Sequence, residues 1–239
     1  MKITSHKLLP TALACLMIVA ISGNACAQRH DKNNSNSAEI TNQAIKKITR
    51  DNSLRFQCNI SHTEWEPGKE TMVEFSSFPT TLSEWKFQQK TLGKEPQGAV
   101  ALQVMAFELY RHNRADGEHA LRLNNTSTNY NSTVERLKEI MGKDKYYARP
   151  YIAWAMLRGA TPENGYTVHP PYTIDMKVDP NKRYQESQLL HGTVIYLLIN
   201  SKGWDTNWRG VEVVKPQGSD YYVVSNCPAM YTQCKEAKK

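Results

Sequence analysis

Residues 158–174 read RGATPENGYTVHPPYTI, and this stretch decides the fold because the sequence pattern changes across it. Gly159, Pro162, Gly165, Pro170 and Pro171 punctuate the stretch. Proline fixes φ and glycine permits positive φ, so the segment is a built loop with a defined path. Its two tyrosines, Tyr166 and Tyr172, are expected to pin it to a sheet by burying their rings and bonding through their hydroxyls. Asn164 precedes Gly165, which suits a turn whose side-chain amide satisfies its own backbone. Glu163-Asn164 has a second reading, as an acid and an amide facing a substrate.

Upstream of this loop the chain reads as helices. Thr81 and Glu84 make a T-x-x-E capping box for a helix through Leu92, stopped by Gly93. Val100, Leu102, Val104, Met105, Ala106, Phe107 and Leu109 form a broad stripe over Gly98–His112, which predicts a buried helix. Ser132 and Glu135 suggest a second capping box, with Val134, Leu137, Ile140 and Met141 behind it and Gly142 as the stop. Downstream the pattern becomes strands. Thr173–Val178 alternates, Gly192–Asn200 is apolar on both faces as a central strand requires, and Val211–Lys215 and Asp220–Ser225 flank the turn 216–219. Helices followed by a strand meander predict an α+β fold, with the helical middle packed on a C-terminal antiparallel sheet.

Towards the N-terminus, Ile40–Arg50 has a short amphipathic helical pattern, and Leu54–Ser61 and Thr71–Phe75 read as strands about the Pro67-Gly68 turn. Residues 1–27 combine Lys2 and Lys7, an apolar run from Leu8 to Ile21, and small residues before Gln28, the build of a secretory signal peptide. Ala25-Cys26-Ala27 is an A-x-A cleavage site that releases a periplasmic or secreted chain. In the alternative, Cys26 carries lipid and anchors the protein to a membrane. The expected organisation is a signal peptide (1–27), a polar tether (28–39), an N-terminal helix and strand extension (40–72) and a single α+β domain (73–239). A mature part of about 210 residues suits one sizeable domain.

The formal net charge of +7 is spread along the chain, and its one dense basic cluster is Lys235, Lys238 and Lys239. A nucleic-acid site needs a basic stripe with interleaved aromatics, and none occurs. The cysteines that remain after export are Cys58, Cys227 and Cys234. An oxidising compartment permits a disulfide, and the short loop between Cys227 and Cys234 makes them the expected pair, with pairing of Cys58 to the tail as the alternative. The histidines lack metal-ligand spacing, and no nucleophile elbow, zincin, P-loop or dinucleotide motif occurs. No metal and no cofactor is therefore expected.

FPTTLSEW (Phe78–Trp85), AVALQVMAFELY (Ala99–Tyr110), GATPENGY with PPYTI, and GWDTNWRGVEV (Gly203–Val213) together resemble the bacterial domain-of-unknown-function family 6935. The resemblance spans Val73–Ser225 and implies a capped helix, an Ala-rich helix, the loop and a strand meander. Gly203, Asp205 and Arg209 align with a Gly-Ala-Asp-Ser-Pro-Arg-like turn, from which Trp204 and Trp208 depart. The family implies a fold and no activity.

Three functions are compatible with these residues. The first is a non-catalytic envelope domain that binds an envelope protein or cell-wall glycan through Trp204, Asp205, Trp208 and Arg209, with Asn164 and Tyr166 nearby, since indoles are enriched at binding hot spots. The second is a cell-wall hydrolase using Glu163 or Asp205 as acid or base beside a histidine. The third is an immunity-type inhibitor of an envelope toxin. An Asp205–Arg209 bridge fixing the turn is the structural expectation at that site.

Overall fold

The computed structural model describes residues 51–53, 55–61, 63–142, 148–182 and 184–238. The expected signal peptide, the Cys26 alternative, the tether and the helix over Ile40–Arg50 lie outside these residues.

The last strand expected to be central, β5 (Gly192–Asn200), organises the sheet. Ile195, Leu197 and Ile199 on one face and Val194 on the other are all buried. One edge pairs with β6 (Trp208–Val214), which continues to β7 (Val223–Asn226). The other edge is shared by β3 (Tyr172–Val178) and β4 (Tyr184–Ser187). Outside β3 lie β2 (Glu70–Phe75) and then β1 (Cys58–Ile60), so the order is β1-β2-β3-β5-β6-β7, antiparallel throughout. The expected domain boundary at residue 73 falls inside β2, which pairs with β3 from Glu70↔Lys177 to Phe75↔Tyr172. The fold is α+β, with its sheet mainly in the C-terminal half.

Four helices lie between β2 and β3 among the described residues: α1 (Leu82–Leu92), α2 (Pro96–His112), α3 (Arg114–Asn124) and α4 (Ser127–Ile140). Thr81 caps α1 by accepting from Glu84 N. α2 is buried continuously from Pro96 to Tyr110 and lies against β2, β6 and β7. The helix α3 was not expected. Asn113 caps it by accepting from Asp116 N, and Gly117 allows the backbone of α2 to approach closely: a Cβ there would sit 2.2 Å from Tyr110 Cα. Ser132 is not a cap. It lies within α4 and donates to Thr128 O, because the helix already starts five residues earlier at Ser127.

The expected Cys227–Cys234 disulfide does not form, and Cys58, Cys227 and Cys234 are all free thiols. The short helical turn Pro228–Met230 separates the two buried sulfurs into different surroundings. Cys227 Sγ contacts Gln103, Asn129 and Thr133 on α2 and α4, whereas Cys234 Sγ faces the Tyr166 hydroxyl. Cys58 stands in β1, paired with Phe75, so it does not join the tail either.

Candidate functional site

The punctuated loop is held first by its own amide. Asn164 Oδ1 accepts from Thr161 N at 2.9 Å, and Nδ2 donates to Gly159 O at 2.9 Å and Thr167 O at 3.2 Å. Its donors and acceptor are thus spent inside the loop, and none of this bonding faces a ligand. The next residues turn the chain through positive φ at Gly165 (63°) and Tyr166 (60°). A bulky residue in that region costs free energy and persists only where packing enforces it. Here the Tyr166 ring stacks on Tyr151, with centroids 4.8 Å apart and planes 20° apart. Its hydroxyl donates to Lys235 O at 2.9 Å. Burial, then the nearby Cys234, pushes that phenol far above its ordinary value.

The C-terminal tail completes the loop's support. Lys238 N donates to Pro162 O at 2.8 Å, Ala237 N to Tyr151 Oη at 3.1 Å, and Lys235 N to Gly203 O at 2.8 Å. Arg149 braces the same segment through Cys234 O and the Glu236 carboxylate. The tail therefore ties the GATPENGY loop to the Gly203–Arg209 turn.

In that turn one indole is buried and the other is partly exposed. Trp204 is 2% exposed, and its Nε1 donates to Thr232 O at 2.5 Å. Trp208 is half-buried at the start of β6, with Lys177 Nζ 4.0 Å from its ring centroid. The expected Asp205–Arg209 bridge is replaced by other partners. Asp205, 96% exposed, pairs with Lys235, and Arg209 donates to Ala229 O and Thr206 Oγ1 while lying over the Trp204 ring. The turn's geometry follows from the tail, which the two-residue motif alone could not reveal.

Arg111, Tyr151, Trp154, Tyr166 and Val168 line a cavity of about 330 Å³. Trp154 is backed by Phe78 and Tyr172, with centroids 5.2 Å and 5.5 Å away, so its indole is held in place. Arg111, at the end of α2, is held by Glu108: Nε donates to Oε2 at 3.0 Å and Nη2 to Oε1 at 2.6 Å. The Glu108 side chain is 3% exposed, so this buried carboxylate needs its cation, and the bond to it raises the guanidinium's pKa. A second cavity, of about 620 Å³, shares Arg111 and Pro150 with the first and is lined also by Tyr110, His112, Arg114 and Lys138.

Of the candidate site residues read from the sequence, only Tyr166 lines this cleft, next to Gly165. Glu163 and Asp205 are exposed and paired with Lys238 and Lys235, and no hydrogen bond joins either to a histidine among the described residues. The pairing with Lys238 holds the Glu163 carboxyl below the usual range. Among the described residues no cluster of three His, Cys, Asp or Glu side chains is placed to hold a metal ion. Glu108, Arg111, Tyr151 and Trp154 were missed. The available signal was Glu108 itself, an acid inside an apolar helix, with Arg111 and His112 at the i+3 and i+4 spacing that reaches it.

Comparison with known proteins places this geometry in a family. The model of the family described as Domain of unknown function (DUF6935) matches residues 77–238, which include the loop, the tail and most of the sheet. No curated protein and no solved structure matches the chain.

Proposed function

We propose, from the premise that this chain belongs to the DUF6935 family, that it is a non-catalytic binding domain of the cell envelope which takes a cell-wall glycan in the cleft beside the loop. The observation that carries this reading is the aromatic wall of Tyr151 and Trp154, with Tyr151 braced by the buried Tyr166, beside about 330 Å³ of open space. Small-ligand sites are concave, mostly apolar and aromatic, with a few fixed polar groups. Flat rings held from behind suit the apolar face of a sugar, and Arg111 supplies directional donors at one end. The basic, apolar and small-residue pattern of residues 1–27 supports delivery to the envelope. The hydrolase reading loses support because its two carboxylates are tied to tail lysines on the surface rather than converging in a cleft.

The test is a titration of intrinsic fluorescence with solubilised cell-wall oligosaccharides, using the wild-type chain, Trp154→Ala, and Trp65→Ala as a control outside the cavity. Binding that weakens about tenfold or more in Trp154→Ala alone is expected. Equal binding by all three proteins, or none by any, overturns the proposal.

A further inference from the structure

The guanidinium of Arg111 stands where the two cavities meet, and Glu108 uses only one of its edges. A guanidinium carries five N–H donors, of which Glu108 takes two. His112 Nε2 lies 2.5 Å from Nη2 and 3.0 Å from Glu108 Oε1, closing that side. Nη1 has no hydrogen bond among the described residues, although the side chain is only 33% exposed. Tyr110, the preceding residue, points to another side of the helix, where Arg114 lies over its ring. An arginine clamped by a buried acid, with Nη2 also engaged by His112 and only the N–H groups of Nη1 unspent, is a preorganised acceptor-binding group.

Charge balance narrows what it accepts. Arg111 is offset by Glu108 and Lys138 by Glu135, while Arg114 lies over the Tyr110 ring and Glu118 acts on both Tyr110 and Lys138. The second cavity is thus no strongly positive field of the kind that collects polyanions. Recognition has to come from the free Nη1 of Arg111, which gives a carboxylate oxygen a directional, charge-assisted hydrogen bond. The adjoining aromatic wall selects what bears that carboxylate. Resting on the glycan-binding reading above, we infer that the cleft is specific for an acidic saccharide, whose sugar face lies on Trp154 and Tyr151 and whose carboxylate seats on Nη1 of Arg111.

The test keeps the wild-type chain intact and changes the ligand. Calorimetric titrations compare a carboxylate-bearing cell-wall disaccharide, its methyl ester, a neutral disaccharide of the same size, and an acidic tripeptide. The acid is expected to bind at least about tenfold tighter than its ester and than the tripeptide. Arg111→Lys, which keeps the charge and loses the Nη1 donors, is expected to erase the preference for acid over ester, with its unfolding midpoint showing that it is folded. Acid and ester binding alike, while Trp154→Ala still weakens both, overturns the carboxylate inference and leaves the glycan-binding reading standing. Absence of any saccharide binding overturns both. Tighter binding of the tripeptide overturns the saccharide class.

Discussion

The Tyr166 hydroxyl donates to the backbone carbonyl of Lys235 at 2.9 Å across 69 positions of sequence. This bond, with those from Lys235 N, Ala237 N and Lys238 N, makes the tail a structural part of the loop. Each hydrogen bond contributes about 0.5–1.5 kcal/mol net, so losing these four by truncation after Cys234 is expected to lower stability by about 2–6 kcal/mol. Urea denaturation measures it. A truncated chain with the wild-type midpoint would show that the tail only decorates the surface.

Trp204→Ala tests the same latch from the turn. The indole is 2% exposed and bonded to Thr232 O, so its loss should cost about 3–5 kcal/mol of stability. Trp208→Ala, at a half-buried position, should cost about 1 kcal/mol. Similar costs for the two in thermal or chemical unfolding would contradict the buried role assigned to Trp204.

The free thiols set an alkaline limit. Burial pushes Cys227 up to about 11 from 9.0, and Cys234 likewise up to about 11. A folded-state pKa above the unfolded value means that the contribution is fully present below about pH 9. Between pH 9 and 11 the unfolded chain releases protons that the folded chain keeps, and stability falls. The share of Cys227 is on the order of 2 kcal/mol. Buried Tyr166 and Tyr231 are shifted upward as well and add to the fall. Unfolding midpoints taken through this window should drop in the wild type and less steeply in Cys227→Ala. Parallel curves would remove the thiol from the explanation.

Gly117 and Gly165 should respond differently to alanine. A methyl at Gly117 meets the Tyr110 backbone at 2.2 Å and forces α2 and α3 apart, an overpacking cost of about 1–3 kcal/mol or more. At Gly165 a methyl meets nothing within 4 Å, so the only cost is that of φ +63° with a side chain, about 1 kcal/mol. A comparison of midpoints decides whether the helix contact is as close as described.

The elements that were legible in the sequence are those whose cause is local. The Thr81–Glu84 box, the stripe of α2 and the apolar run of β5 each carry their reason within a dozen residues, and they stand where the pattern put them. Asn164 likewise speaks only to its own loop. What escaped depends on distant partners. Helix α3 buries few apolar residues and rests on Gly117 meeting Tyr110. Trp204 looked like a surface aromatic because the backbone that accepts its N–H lies 28 residues on. The cleft was hidden for the same reason: Arg111, Tyr151 and Tyr166 come from a helix end and two loops that only the fold brings together.

The aromatic cleft thus draws its support from backbone at the far end of the sequence, 69 positions beyond Tyr166. Anything fused to or trimmed from the tail acts on the cleft, although the two are far apart in sequence.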